Sequence, residues 1–304
     1  MLTPTRVFIS SPLNQGLTPD QLDVKKGILD RIEMVGFEPQ EFGVSGDFSQ
    51  IPWNFDNIQY VLGRCQGSVI LGLIRWDVWN AQNKYRFSSV YSSYEGALFP
   101  AKNIPTFILM HEHVYPGDVV FQGEGQNKSE GQYIVSLPDK VTSSWLQTDN
   151  FLSKFNGWVD SVKNRHHVFF GYSSKAQATA NKIKDFLIQK GVSVMDWAVD
   201  FKPAFYSLDD FERASKSCMG GIFLFTKDDE IITGDAKSAA PRDNVIFEAG
   251  YFMHAKGSDK ILIIREESTR LPADIGEYIY VPLQNRDDLS SIEKDLEQFI
   301  VKNL

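Results

Sequence analysis

The chain has 304 residues, 42% of them apolar, and a formal net charge of −8. That length and apolar content fit two ordinary domains with cores of their own, and the acidic balance excludes a nucleic-acid binder that relies on a basic stripe. Two cysteines, Cys65 and Cys218, one in each half, argue against a disulfide framework and fit a reducing cytoplasm; no run of about 18 apolar residues is present to span a membrane, and Met1 to Ser11 lacks the apolar core of a signal peptide.

In chain order, the first half opens on a short strand, Arg6 to Ser11, that runs into a polar turn. A helix over Pro19 to Val35 follows, with Leu22, Ile28, Leu29 and Ile32 on its inner side, and Gly36 ends it. Phe37 to Phe42 reads as a weaker strand and Asn54 to Arg64 as a helix. Ser68 to Ile74 is the strongest strand of this half. A helix from Val90 to Lys102 and a strand from Pro105 to Met110 come next. The glycine-rich region His111 to Gln132 has little periodicity and reads as a loop or hairpin insertion. A strand from Tyr133 to Leu137 and a helix from Asp149 to Lys163 close the half.

The second half repeats that order. His167 to Gly171 is a strand, Tyr172, Ser173 and Ser174 form the polar turn, and Lys175 to Lys190 is a helix with Ala180, Ile183, Phe186 and Leu187 inward. Val192 to Met195 is a strand, and Ser207-Leu208-Asp209-Asp210 resembles a capping box opening a helix to Cys218. Gly221 to Phe225 is the central strand. A helix over Arg242 to Lys256, opened by Pro241, is followed by strands Lys260 to Ile264 and Tyr278 to Val281 and a helix from Asp287 to Val301.

The matched order implies an internal duplication. Tyr94-Glu95-Gly96-Ala97 takes the place of Phe247-Glu248-Ala249-Gly250, and Phe99 and Phe252 each follow their glutamate by four residues. Alternating strands and helices imply parallel sheets covered on both faces. The expected fold class is therefore α/β, two tandem flavodoxin- or Rossmann-like modules over residues 1–164 and 165–304.

Within the second half, Val245, Ile246, Ala249, Phe252 and Met253 follow the spacing of a buried helical face, and Glu248 stands alone among them. A carboxylate in an apolar wall is either satisfied in the core or functional. Ligands of open parallel sheets bind beyond the carboxyl ends of the strands. Gly171, Tyr172, Ser173 and Ser174 lie there, ahead of a helix N-terminus that favours phosphate. Trp197 follows the second strand, Asp228 and Asp229 follow the central one, and Asn244 lies in the first turn of the Glu248 helix. An aromatic ring, a phosphate cradle and a lone carboxylate on one crevice fit a nucleotide. The five histidines and two cysteines show no metal-ligand spacing.

Val168 to Ser174, Asp196-Trp197, Ser207 to Glu212, Phe225 to Asp229, Arg242 to Phe252 and Leu271 to Ile275 appear in order. Together they resemble the TIR-like nucleotide-binding family of bacterial anti-phage effectors over about residues 166–285. The resemblance implies an NAD+ hydrolase with Glu248 as its catalytic residue, NAD+ being substrate rather than cofactor. The first half is more loosely similar to the nucleoside 2-deoxyribosyltransferase-like branch of the superfamily, through Phe8 to Pro12 and Ser93 to Ala97. It reads as a nucleotide-ligand sensor or oligomerisation module, with Glu95 as its ligand-site candidate. Two other functions stay open: a non-catalytic nucleotide-binding scaffold, and a nucleoside transferase in the first half. The expected setting is a cytoplasmic protein that self-associates on activation. The apolar loop Ala198 to Tyr206 is the expected contact.

Overall fold

The computed structural model describes residues 5–44, 48–115, 132–200, 208–233, 236–272 and 280–304. The chain divides into two compact units, the first ending at Asn164 and the second running over Arg165–Leu304.

The first unit runs β1 (Thr5–Ser10), α1 (Pro19–Met34), β2 (Phe37–Glu41), α2 (Phe55–Leu62), β3 (Gly67–Gly72), β4 (Trp76–Asn80), β5 (Asn83–Phe87), α3 (Val90–Ala101), β6 (Thr106–His111), β7 (Gln132–Leu137) and α4 (Asp149–Lys163). Its parallel sheet has the order β2-β1-β3-β6-β7, and β4 and β5 form a separate antiparallel hairpin. Thr18 starts α1 with a complete capping box, its side chain accepting from the Gln21 N–H while the Gln21 side chain accepts from the Thr18 N–H. One face of the sheet packs Val7, Ile9, Val69, Leu71 and Phe107 against α1 and α4. The other packs Phe8 against Ile58 of α2 and Phe99 of α3. Contrary to the expectation from spacing, Leu22 is 36% exposed; Val24 and Lys25 turn inward instead. The Lys25 ammonium is tolerated there because it meets the Glu41 carboxylate at 2.5 Å.

The second unit runs β8 (His166–Tyr172), α5 (Gln177–Gln189), β9 (Val194–Asp196), α6 (Trp197–Asp200), α7 (Leu208–Ser217), β10 (Cys218–Phe225), β11 (Asp229–Thr233), β12 (Ala236–Ala240), α8 (Asp243–Lys256), β13 (Ile261–Glu266), β14 (Tyr280–Leu283) and α9 (Glu293–Asn303). The sheet order, β9-β8-β10-β13-β14, is that of the first unit, and β11 with β12 is again a hairpin between central strand and glutamate helix.

The registers agree as well. β1 meets β3 at Val7–Gly67 and Ser10–Ile70, while β8 meets β10 at Val168–Gly220 and Gly171–Phe223. Laid on one another, these pairs put Ser10 at the position of Gly171. Glu95 and Glu248 are each the sixth residue of their helix. Phe8 stacks on Phe99 at 4.8 Å and Phe169 on Phe252 at 4.7 Å.

The starts of two helices differ from expectation. Pro241 lies outside α8, ahead of an extended Arg242 at the N-cap. The last helix starts six residues later than expected, because the N–H groups of Asp287 and Ser290 bond the side chains of Asn285 and Asp288 instead of entering a helix. Both hairpins were unanticipated. Ser207 of the expected cap, the glycine-rich stretch 116–131 and positions 201–206 of the apolar loop lie outside the described residues. Both cysteines are buried and free, as core residues. Among the described residues no helix is long and apolar enough to cross a membrane.

Candidate functional site

A cavity of about 370 Å³ opens beside the carboxyl ends of β8 and β9 in the second unit. Val245, Ala249 and Phe252 anchor α8 on the sheet, which turns Glu248 from the same helix toward the cavity wall. The cavity is lined by Tyr172, Ser173, Ser174, Trp197, Asn244 and Glu248 from the expected set.

Glu248 is 7% exposed, and its Oε2 has no hydrogen-bond partner among the described residues. Burial pushes its carboxyl up to about 8. The fold therefore holds an acceptor whose donors are still to come. Ligand hydroxyls placed there would restore the hydrogen bonding that burial removed and draw the group back toward ionisation.

Gly171 does not line the cavity but backs its carboxylate. A Cβ at this position would lie 2.7 Å from Glu248 Oε2 and 2.6 Å from the Phe223 ring. Glycine is needed here for close approach. Tyr172 and Trp197 are fixed by a shared network. The Tyr172 hydroxyl donates to Asp196 at 2.8 Å, and Gln177 donates to the same hydroxyl at 2.9 Å. Asp196 also accepts from Lys184 at 2.6 Å and from the Ala198 N–H. Trp197 meets the Tyr172 ring edge-on at 5.6 Å, which holds an aromatic wall on one side of the cavity.

Asp228 and Asp229 do not line the cavity. Asp228 is buried, accepts from Thr226 at 2.5 Å and joins the hairpin base through its N–H to Ala240. Asp229 starts β11 and faces Lys175 at 3.5 Å. Five residues at the cavity went unrecognised as site residues in the sequence: Arg242, Leu208, Phe211, Val245 and Phe247. Arg242 had a readable signal, since it stands two residues ahead of Asn244 at the helix start.

Glu95 in the first unit has the same place in the fold and a different environment. It is 3% exposed, and the Trp53 indole N–H donates to its Oε1 at 2.9 Å. Burial pushes the carboxyl up to about 7, while the Ser10 and Trp53 hydrogen bonds hold it lower than burial alone would. Trp53 in turn packs on Tyr91 at 4.7 Å and on Tyr94 at 5.8 Å. Among the described residues one exposed trio, Glu112, His113 and Asp139, is close enough to share an ion. Asp139 already meets Arg86 at 2.5 Å.

The second unit is thus a doubly wound module with a solitary helix-borne carboxylate at a nucleotide-sized cavity. Residues 167–285 match the family described as CAP12/Pycsar effector protein, TIR domain. The chain is 28% identical over 158 residues to the Pycsar effector protein BcPycTIR of Burkholderia cepacia, covering 50% of this chain and 52% of that one. It is 31% identical over 134 residues to CD-NTase-associated protein 12 of Sphingobacterium faecium, covering 44% and 41%. With CD-NTase-associated protein 12 of Niabella drilacis it shares 34% over 119 residues, 37% of each. The matches span about half or less of the length of these relatives.

Proposed function

We propose that the second unit hydrolyses NAD+ to nicotinamide and ADP-ribose, with Glu248 as the catalytic residue. The observation that carries this reading is the Glu248 carboxyl, buried at a cavity with one oxygen unpartnered among the described residues. In the reaction the bond between ribose C1′ and the pyridinium nitrogen breaks. Its electron pair passes to nitrogen, so nicotinamide leaves neutral and requires no general acid. Positive charge develops on the ribose, and a carboxylate beside it stabilises that oxocarbenium-like state. Water then adds to C1′, and its proton passes to Glu248 and on to solvent. The ribose hydroxyls supply the donors Glu248 lacks, and Trp197 offers a face for the nicotinamide ring. Gly171 allows the approach, while Tyr172, Ser173, Ser174 and Asn244 complete the walls.

The names of the relatives support a role as an effector of anti-phage defence, and a signal-activated protein acting in the cytoplasm is part of the same proposal. Uncontrolled hydrolysis would exhaust the cell's NAD+, so turnover is gated. A nucleotide second messenger bound by the first unit at Glu95 is the proposed trigger, and self-association is the proposed response. Asp228 and Asp229 take no direct part. The experiment is nicotinamide release from NAD+ by the purified protein, alone and with a panel of cyclic nucleotides, beside Glu248→Gln. Release that requires a cyclic nucleotide and vanishes in the variant is expected. No release under any condition would favour a non-catalytic scaffold.

A further inference from the structure

Among the described residues lining the cavity, Arg242 is the only one with a fixed charge, and its guanidinium has no ion pair or hydrogen bond to another described residue. An exposed arginine in a chain of net charge −8 has many carboxylates to choose from, yet this one pairs with none among the described residues. It occupies the N-cap of α8, where its side chain caps nothing. The next two backbone N–H groups, those of Asp243 and Asn244, have no partner among the described residues, since the first bonds of the helix run from Val245 and Ile246 to the Arg242 carbonyl. Free N–H groups, the positive end of a fourteen-residue helix and a guanidinium therefore converge on one rim. Asp243 is exposed and does not line the cavity.

At the Ser173 turn two backbone donors are already in use. There the Ser173 hydroxyl accepts from the Lys175 N–H, and the Ser173 carbonyl accepts from the Ala176 N–H. Those two donors are spent on the turn itself. Glu248 lies six residues beyond Arg242, about 9 Å along the helix axis at 1.5 Å per residue. A dinucleotide with its reacting ribose at Glu248 has its pyrophosphate as the next group along the molecule.

We propose that Arg242, with the free N–H groups of the first turn of α8, binds the pyrophosphate of the substrate and so selects dinucleotides over nucleosides. The proposal rests on the assignment of NAD+ to this cavity. The guanidinium fork matches two phosphate oxygens at once, which an ammonium does not.

The test titrates NAD+ and nicotinamide riboside, which has no phosphate, into full-length Glu248→Gln protein by calorimetry. Arg242 is kept, or changed to Gln or Lys. NAD+ affinity is expected to fall tenfold or more in Arg242→Gln and to recover in part in Arg242→Lys, with nicotinamide riboside unchanged throughout. The salt dependence of NAD+ binding should flatten in Arg242→Gln. Equal losses for both ligands would make Arg242 merely structural and overturn the inference. Unchanged NAD+ affinity would overturn it while leaving the NAD+ reading standing. No NAD+ binding with Arg242 intact, with or without the cyclic-nucleotide panel, would overturn both.

Discussion

Replacing Glu248 with Gln is expected to stabilise the second unit, increasingly so as pH rises. The carboxyl ionises near 4.5 in the unfolded chain and is pushed up to about 8 in the folded one, by burial. Between those values the folded state holds a proton that the unfolded state has released. Stability therefore falls as pH rises through this window, and the whole cost is present above about pH 8. At 1.36 kcal/mol per pH unit, the window sets a ceiling of about 5 kcal/mol. Water entry and side-chain relaxation reduce it, and about 1–3 kcal/mol is the expected gain at pH 9. Glutamine keeps the size and does not titrate, so wild type and variant should coincide near pH 4.5 and diverge above it. Scanning calorimetry follows the difference, at about 3 °C per kcal/mol for a unit of this size. A difference that stays constant from pH 5 to 9 would refute the reasoning, because it would mean that the carboxylate is already satisfied in the fold.

The same ionisation predicts that kcat/KM for NAD+, which reports the free enzyme, rises about tenfold per pH unit below about pH 8 and levels above it; a flat profile from pH 6 to 8.5 would separate Glu248 from the chemistry. Trp53→Phe removes the indole donor to the Glu95 carboxyl, and should cost the first unit about 1.5–3 kcal/mol at pH 9 and less at pH 5, as read by denaturant titration at the two pH values. Gly171→Ser brings a Cβ against Phe223 and Glu248, and should destabilise the second unit by about 1–3 kcal/mol in the same titration and abolish NAD+ cleavage. Cys218, its thiol pushed up to about 12 by burial, should ignore a thiol reagent in the native protein and react on unfolding.

Much of this architecture was legible because burial leaves a period in the sequence. The β3 and β10 strands are buried at every described position, and they stand out as the apolar runs Ser68 to Ile74 and Gly221 to Phe225. Glu248 was legible for the opposite reason, as a charge interrupting such a face. The hairpins were not, because β4 is exposed at all five positions and has no buried face to set an alternation. Asp228 and Asp229 were placed at the ligand because they follow the central strand. Strand ends say where a ligand lies, but not which side chains turn toward it, and here the hairpin turns these two aside. Trp53 illustrates another limit. It lies forty-two residues from Glu95, and no local pattern announces a hydrogen bond across that distance.

The hairpins have a consequence for how the two copies age. Each leaves after the central strand and returns just before the glutamate helix, so its ends are held by the sheet. Lengthening such an excursion costs only about 0.6 kcal/mol per doubling, and it leaves the strand register untouched. The first copy carries Trp76, Val78 and Trp79 exposed on its hairpin, Trp79 at 72%, where the second carries Ile231 and Ile232. Mutations can accumulate there without passing through the core. A duplicated fold of this kind diverges first at its hairpins, and the glutamate keeps its address while its neighbourhood is rebuilt.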